Sequence, residues 1–332
     1  FTLVFLLFQG ALNIDFKTLF KSLQGTLKLT VISFIFTSVA VTLIALIFLR
    51  FDILTSLLTG VILSGTSSAV VIPIIANLKA NKKFASILTL ESALSDVFAI
   101  VGAITLIAII AEGNVSASLV VKSVLSSFIL ALFVGIIASL VWIFTLTRSK
   151  HLMNSYMVTI AVVIALYAFV ESPFVSASGA IAVLAFGIMM GNSKTLLKAF
   201  KKINGKNEED KIIKQNILSN SAKNFYTEIS FFVKVFFFVY LGILFDFSQA
   251  FVLFTGLIIT IAIYATRIPV VHLAFRKERV DDKSKQLLRY LIPKGLAAAV
   301  LAQLALESNI PGADTLVHVV FSVILISIIM TS

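Results

Sequence analysis

Hydrophobic positions in this chain do not alternate with polar ones; they run on. The stretch TVISFIFTSVAVTLIALIFL, residues 30–49, has no charged residue. A helix needs about 20 apolar residues to cross a bilayer. The whole chain reads as eleven such spans, some of them short. They fall at about residues 1–11, 26–49, 53–77, 84–111, 117–146, 153–170, 176–191, 224–246, 250–275, 286–306 and 313–331. In lipid each backbone N–H and C=O must find its partner within the segment, so these runs predict helices. The expected fold is an all-α polytopic membrane protein, with residues 1–332 as one transmembrane domain. The first residues, FTLVFLLFQGALNI, read as the tail of a span, and VILISIIMTS stops without a polar tail. Further sequence is expected beyond both ends.

Two spans carry breaks in their helical pattern. GVILSGTSSAVVIP places Gly65, Thr66, Ser67 and Ser68 in mid-span, with Pro73 after them. LIPKGLAAAVLAQLA places Pro293, Lys294 and Gly295 together. Interrupted helices in corresponding positions point to a transporter binding site, where unwound backbone offers carbonyls and helix ends to an ion. Small residues also let helices pack closely, so each break alone is a soft signal.

Composition agrees with the pattern. The chain is 59% hydrophobic and 13% charged, against roughly 45–50% and about 25% in soluble proteins. It has no cysteine, which excludes disulfides and thiolate metal sites. The net charge of +11 reads as basic cytoplasmic loops, not as a nucleic-acid surface. Twenty-two of the 27 Lys and Arg residues fall in every second loop. The alternate loops hold only Arg50 and Lys122, beside acids such as Asp52, Glu112, Glu171, Asp246 and Glu307. The positive-inside rule then expects a multi-pass protein of the cell membrane with a cytoplasmic C-terminus. Residues 192–223 form a basic linker between the halves, whose first part reads as an amphipathic helix on the membrane surface.

Few charges remain inside the spans: Glu91, Asp96, Glu228, Lys234, Arg267 and Lys294. Such groups pair with one another or line a pathway. At about 1.5 Å per residue, Asp96 lies about 18 Å along its span, Glu91 about 10 Å in, and Arg267 about 12 Å from the same side. Glu91 and Arg267 therefore match in depth and read as a structural ion pair. Five residues turn a helix by about 140° (modulo a full turn), so Asp96 points elsewhere. Ser92 shares the face of Asp96, and Ser95 that of Glu91. A mid-membrane carboxylate without a permanent partner holds a proton or a mobile cation. That is the chemistry of proton-coupled cation exchange.

The same residues carry a family resemblance. FLLFQGALNIDFKTL resembles the "LFEAALNLD" segment of sodium/proton exchangers of the NhaP type, and ESALSD resembles their "ESLLND" motif. SGTSSAVV stands where those proteins have Thr-Asp-Pro on an unwound helix. VSASGAIAVLAFGIMMGN, TRIPVVHLAF and PKGLAAAVLA are similar to later family segments, in family order. The chain resembles the monovalent cation:proton antiporter family over almost its whole length.

The resemblance implies a fold of inverted repeats with two crossing interrupted helices at about 53–77 and 286–306, working by alternating access as a homodimer in pH homeostasis. It implies that Asp96 binds ion and proton in turn, that the Ser92 hydroxyl and the Thr66 carbonyl help hold the ion, and that Glu91 and Arg267 pair across helices. Lys294 matches a family arginine. Two departures stand out. Ser95 replaces an Asn or second Asp, and Ser67 replaces the Asp of Thr-Asp-Pro; both stay with Asp96, Ser92 and Thr66 as candidate ion- and proton-binding residues. With one carboxylate left, the site favours electroneutral exchange of H+ for Na+ or K+. Lys294 and Glu228 are candidate modulators. No cofactor is expected, and no metal beyond the transported monovalent cation. The partners expected are protons, monovalent cations, membrane lipids and a second copy, not nucleic acid. Competing readings are a potassium efflux channel or antiporter-like system, and a non-transporting sensor on the same scaffold. An enzyme is disfavoured: no His-Glu-x-x-His, Gly-x-Ser-x-Gly or P-loop appears, and His151, His272 and His318 are scattered.

Overall fold

Long uncharged runs become helices here. The computed structural model describes residues 2–12, 14, 16–67, 70–71, 74–75, 82–112, 117–148, 155–175, 177–204, 220–244, 249–276 and 280–331. Among them there is no strand. The helices are α1 (Thr2–Leu12), α2 (Phe16–Ile44), α3 (Ile53–Ile62), α4 (Lys82–Glu112), α5 (Ala117–Arg148), α6 (Ser155–Glu171) and α7 (Gly179–Gly191). They continue with α8 (Ser193–Asn204), α9 (Asn220–Leu244), α10 (Ala250–Ala274), α11 (Asp282–Tyr290), α12 (Leu296–Glu307) and α13 (Ala313–Thr331). Five stretches, in α2, α4, α5, α10 and α13, are long and apolar enough to cross a membrane, among the described residues.

One helix runs beyond its expected span. The second span, expected at 26–49, matches the apolar stretch Gln24–Leu49, and the helix that carries it continues back to Phe16. Lys17, Lys21 and Lys28 look like loop residues, but they recur at four and seven residues, a spacing a helix accommodates on one face. At its far end α2 passes into a π-helical turn, Ala45–Leu49, and Arg50 stops it in the left-handed region at φ 55°. Asp52 then caps α3, its carboxylate accepting the N–H groups of Leu54 and Thr55. Burial pushes that carboxyl up, but hydrogen bonds from the Thr55 and Leu54 amides hold it the other way and leave the pKa below its ordinary value.

The chain divides into two compact units, each built from two separate stretches: residues 1–17 with 125–239, and 18–124 with 240–332. In the first unit α1 packs on α7. Phe8 is fully buried and meets Tyr226 edge-on, ring centroids 5.4 Å apart. Gly187 lets the helices approach: a β-carbon there would stand 2.6 Å from that of Ala11. Asn192, buried at the end of α7, donates to the carbonyls of Ile14 and Ile188 and accepts the Phe16 N–H. Its side-chain amide thus fastens the turn between α1 and α2.

The second unit has its apolar core where α2, α4, α10 and α11 meet, around Leu29, Leu88, Val270 and Leu288. Two of its helical segments are interrupted. After Ile62 the helix unwinds through Leu63–Ser67 and resumes at Val70 and Val71, whose N–H groups point to the Ser67 carbonyl. Leu291–Gly295 are likewise unwound between α11 and α12. Both breaks fall where the glycine and proline pattern puts them; Ser68 and Pro73 lie outside the described residues.

Candidate ion-binding site

The two breaks meet. The Ser67 N–H donates to the Pro293 carbonyl at 2.8 Å. Gly295 faces the Ser67 side chain so closely that a β-carbon on the glycine would overlap the hydroxyl. The Lys294 N–H donates to Ser327 Oγ on α13 at 2.9 Å, and Lys294 Nζ reaches back to the Gly65 carbonyl, also at 2.9 Å. An unwound segment exposes donors and acceptors that a helix would consume. Here each break takes up part of what the other leaves open.

α4 lies against this junction. The Ser95 hydroxyl accepts the Thr66 N–H at 3.0 Å and donates to the Ser92 carbonyl at 3.1 Å. Ser92 turns its own hydroxyl to the Thr89 carbonyl. Asp96 is half-buried, and its Oδ1 stands 3.1 Å from where a Gly65 β-carbon would sit. A β-carbon at 65 would crowd that oxygen, so glycine eases the approach. Asp96 makes no hydrogen bond or ion pair among the described residues. Lys294 is within electrostatic reach of it. Gly65 therefore separates a carboxylate from an ammonium.

One turn away sits a second charged group, and it is closed. Arg267 and Glu91 are both almost wholly buried. Arg267 Nη1 and Nη2 donate to the two carboxylate oxygens at 2.5 and 2.6 Å. Nη1 also donates to Ser33 Oγ at 2.8 Å, and Nε to the Leu288 carbonyl at 2.7 Å. A two-pronged guanidinium–carboxylate bond with further hydrogen bonds is the arrangement in which a buried pair offsets its desolvation. It ties α2, α4, α10 and α11 at one point. Both oxygens of Glu91 are thereby taken up by Arg267.

The profile of the family described as "Sodium/hydrogen exchanger, transmembrane" matches residues 1–332. The chain belongs to the sodium/hydrogen exchanger family. Among solved structures, the exchanger is similar to the sodium proton antiporter MjNhaP1 from Methanocaldococcus jannaschii at pH 8, with a TM-score of 0.82 and 21% identity over 99% of this chain and 83% of that one. A map of the same antiporter by electron microscopy matches with a TM-score of 0.77 and 19% identity, over 99% and 80%. Those likenesses carry the fold: an all-helical architecture of the NhaP1 type.

Within the exchanger, Asp96, Ser95, Thr66, Ser67 and Lys294 come together at the breaks, and Glu91 and Arg267 meet each other. Ser92 is buried beside them on α4. Glu228 is exposed on α9, in the first unit. Sequence reasoning missed four partners: Ser33, Ser327 and the carbonyls of Gly65 and Leu288. For Ser33 a signal existed. Thr26, Thr30, Ser33 and Thr37 recur at helical spacing on α2, and all four are buried. The carbonyls leave no mark in a sequence.

Proposed function

We propose that this exchanger is a secondary antiporter that moves protons against Na+ or K+, with both ions competing for Asp96. The single observation behind it is a half-buried carboxylate, without hydrogen bond or ion pair among the described residues, against the junction of two unwound helices. Hard oxygen donors suit a monovalent cation: the Asp96 carboxylate, the Ser92 hydroxyl and the carbonyl of Thr66. Ser95 and Ser67 hold the loop backbone in register. Loaded with a proton or a cation, Asp96 is neutral. Unloaded, it is an anion that only Lys294 compensates. Proton and cation compete for the one carboxylate, and that competition couples the two fluxes. Glu91 and Arg267 serve as a fixed brace.

One carboxylate carries one proton or one cation, so the exchange is electroneutral at 1:1. Cation-dependent proton flux in proteoliposomes, run with Na+, K+ and Li+ in turn, tests the reading. Absence of flux with all three would leave a non-transporting sensor. Flux of K+ without counter-movement of protons would mean a channel.

A second reading has its own observation. Lys294 is a buried ammonium hydrogen-bonded to a single carbonyl. A lysine so placed can give up its proton when a cation arrives at Asp96, and a second proton per cycle would make exchange electrogenic.

A further inference from the structure

We propose that α8 is a docking surface for anionic phospholipid headgroups, lying along the bilayer at the end of α7. The proposal does not depend on the cation chemistry of Asp96. α7 is apolar and mostly buried; α8 starts after one intervening residue, Asn192, and changes character at once. Its sequence, SKTLLKAFKKIN, contains four lysines and no acid. At 100° per residue, positions 196, 197, 200 and 203, all Leu, Phe or Ile, fall within about 120° of arc. Lysine positions 194, 198, 201 and 202 fall within about 100° on the other side. Lys194 and Lys198 are exposed, and Leu196 and Leu197 are half-buried.

A helix of that pattern lies in the interface plane, apolar stripe down and lysines level with the headgroups. Charge selects the occupant. Four lysines in one arc without a carboxylate repel one another unless an anionic surface faces them, and each contributes a factor of about five in affinity for such a surface. The helix also cannot drift from the bilayer. Asn192 immediately before it is held by Ile14, Phe16 and Ile188. A headgroup contact on α8 therefore reaches the α1–α2 turn through one buried side chain.

The test is hydrogen–deuterium exchange on the whole chain in nanodiscs of phosphatidylcholine alone and of phosphatidylcholine mixed with phosphatidylglycerol. Amides of α8 should exchange at least about tenfold more slowly in the mixed lipid, and added salt should remove the difference. Replacing Lys194, Lys198, Lys201 and Lys202 by Gln should abolish the lipid dependence, and replacing all four by Arg should keep it. Equal protection in both lipids would show that α8 rests on its own chain or on neutral lipid, and overturns the proposal. Lipid-dependent protection that survives the four Gln changes overturns it as well.

Discussion

Asp96 and Glu91 are five residues apart on one helix and have opposite fates. Glu91 has both oxygens on one guanidinium; Asp96 has neither oxygen bonded among the described residues. Asp96→Asn should abolish exchange while the protein still folds, since no hydrogen bond of Asp96 among the described residues is lost. Exchange at the parent rate would sink the mechanism. Glu91→Gln or Arg267→Met should each destabilise by ~3–5 kcal/mol, because the surviving charge stays buried without its partner. The double change should recover part of that, and losses that simply add would mean the two act independently. Ser95→Ala takes away the acceptor of the Thr66 amide. A buried donor left unmet costs about 1–3 kcal/mol, so that variant should show both lower stability and weaker cation binding.

At the scale of elements, the two breaks act as one. Gly295→Ala drives a methyl group into Ser67, a crowding that should cost about 1–3 kcal/mol and slow exchange. Adding Ser67→Gly removes the obstructing atoms and should restore melting temperature, which a mere loss of flexibility at residue 295 would not allow. The position of each break was legible beforehand, because glycine and proline resist the helix and mark it in the sequence. Their junction was not. The Ser67–Pro293 bond is backbone to backbone, and the Lys294 ammonium bonds a carbonyl 229 residues away. The matched depth of Glu91 and Arg267 was readable because charges in apolar runs are rare. The span in α2 was legible, but its extension back to Phe16 was not, because Lys17 and Lys21 resemble loop residues in the sequence. Asp281, which caps α11, makes a smaller prediction. Hydrogen bonds from the Ser284 hydroxyl and backbone N–H hold its carboxyl below the ordinary value. The cap's contribution is therefore present above the unfolded-state pKa and fades as pH falls through the lower folded one. Fraying of the first turn of α11 should appear only in acid, as loss of amide protection at Ser284.

For the molecule as a whole, the decisive quantity is charge moved per cycle. With Asp96 as sole carrier, the exchange rate in proteoliposomes should not change when the membrane potential is clamped at different values. A steep rise with voltage would favour the second reading, with Lys294 as the extra proton carrier. Competition also fixes the pH dependence. Below the pKa of the carboxylate, apparent cation affinity should fall about tenfold per pH unit. A cation affinity that ignores pH would separate the two binding events.

The pairing of Glu91 with Arg267 also has a cost in time. The two are 176 residues apart, and a ribosome adds roughly 5–20 residues per second. For some ten to thirty-five seconds of every synthesis, then, a nascent chain carries Glu91 with its guanidinium not yet made. A buried charge without its partner is strongly destabilising, so the chain is open to proteolysis in that window. Translation arrested just before Arg267 should yield a short-lived fragment, and Glu91→Gln should lengthen its life, although the same change weakens the finished exchanger.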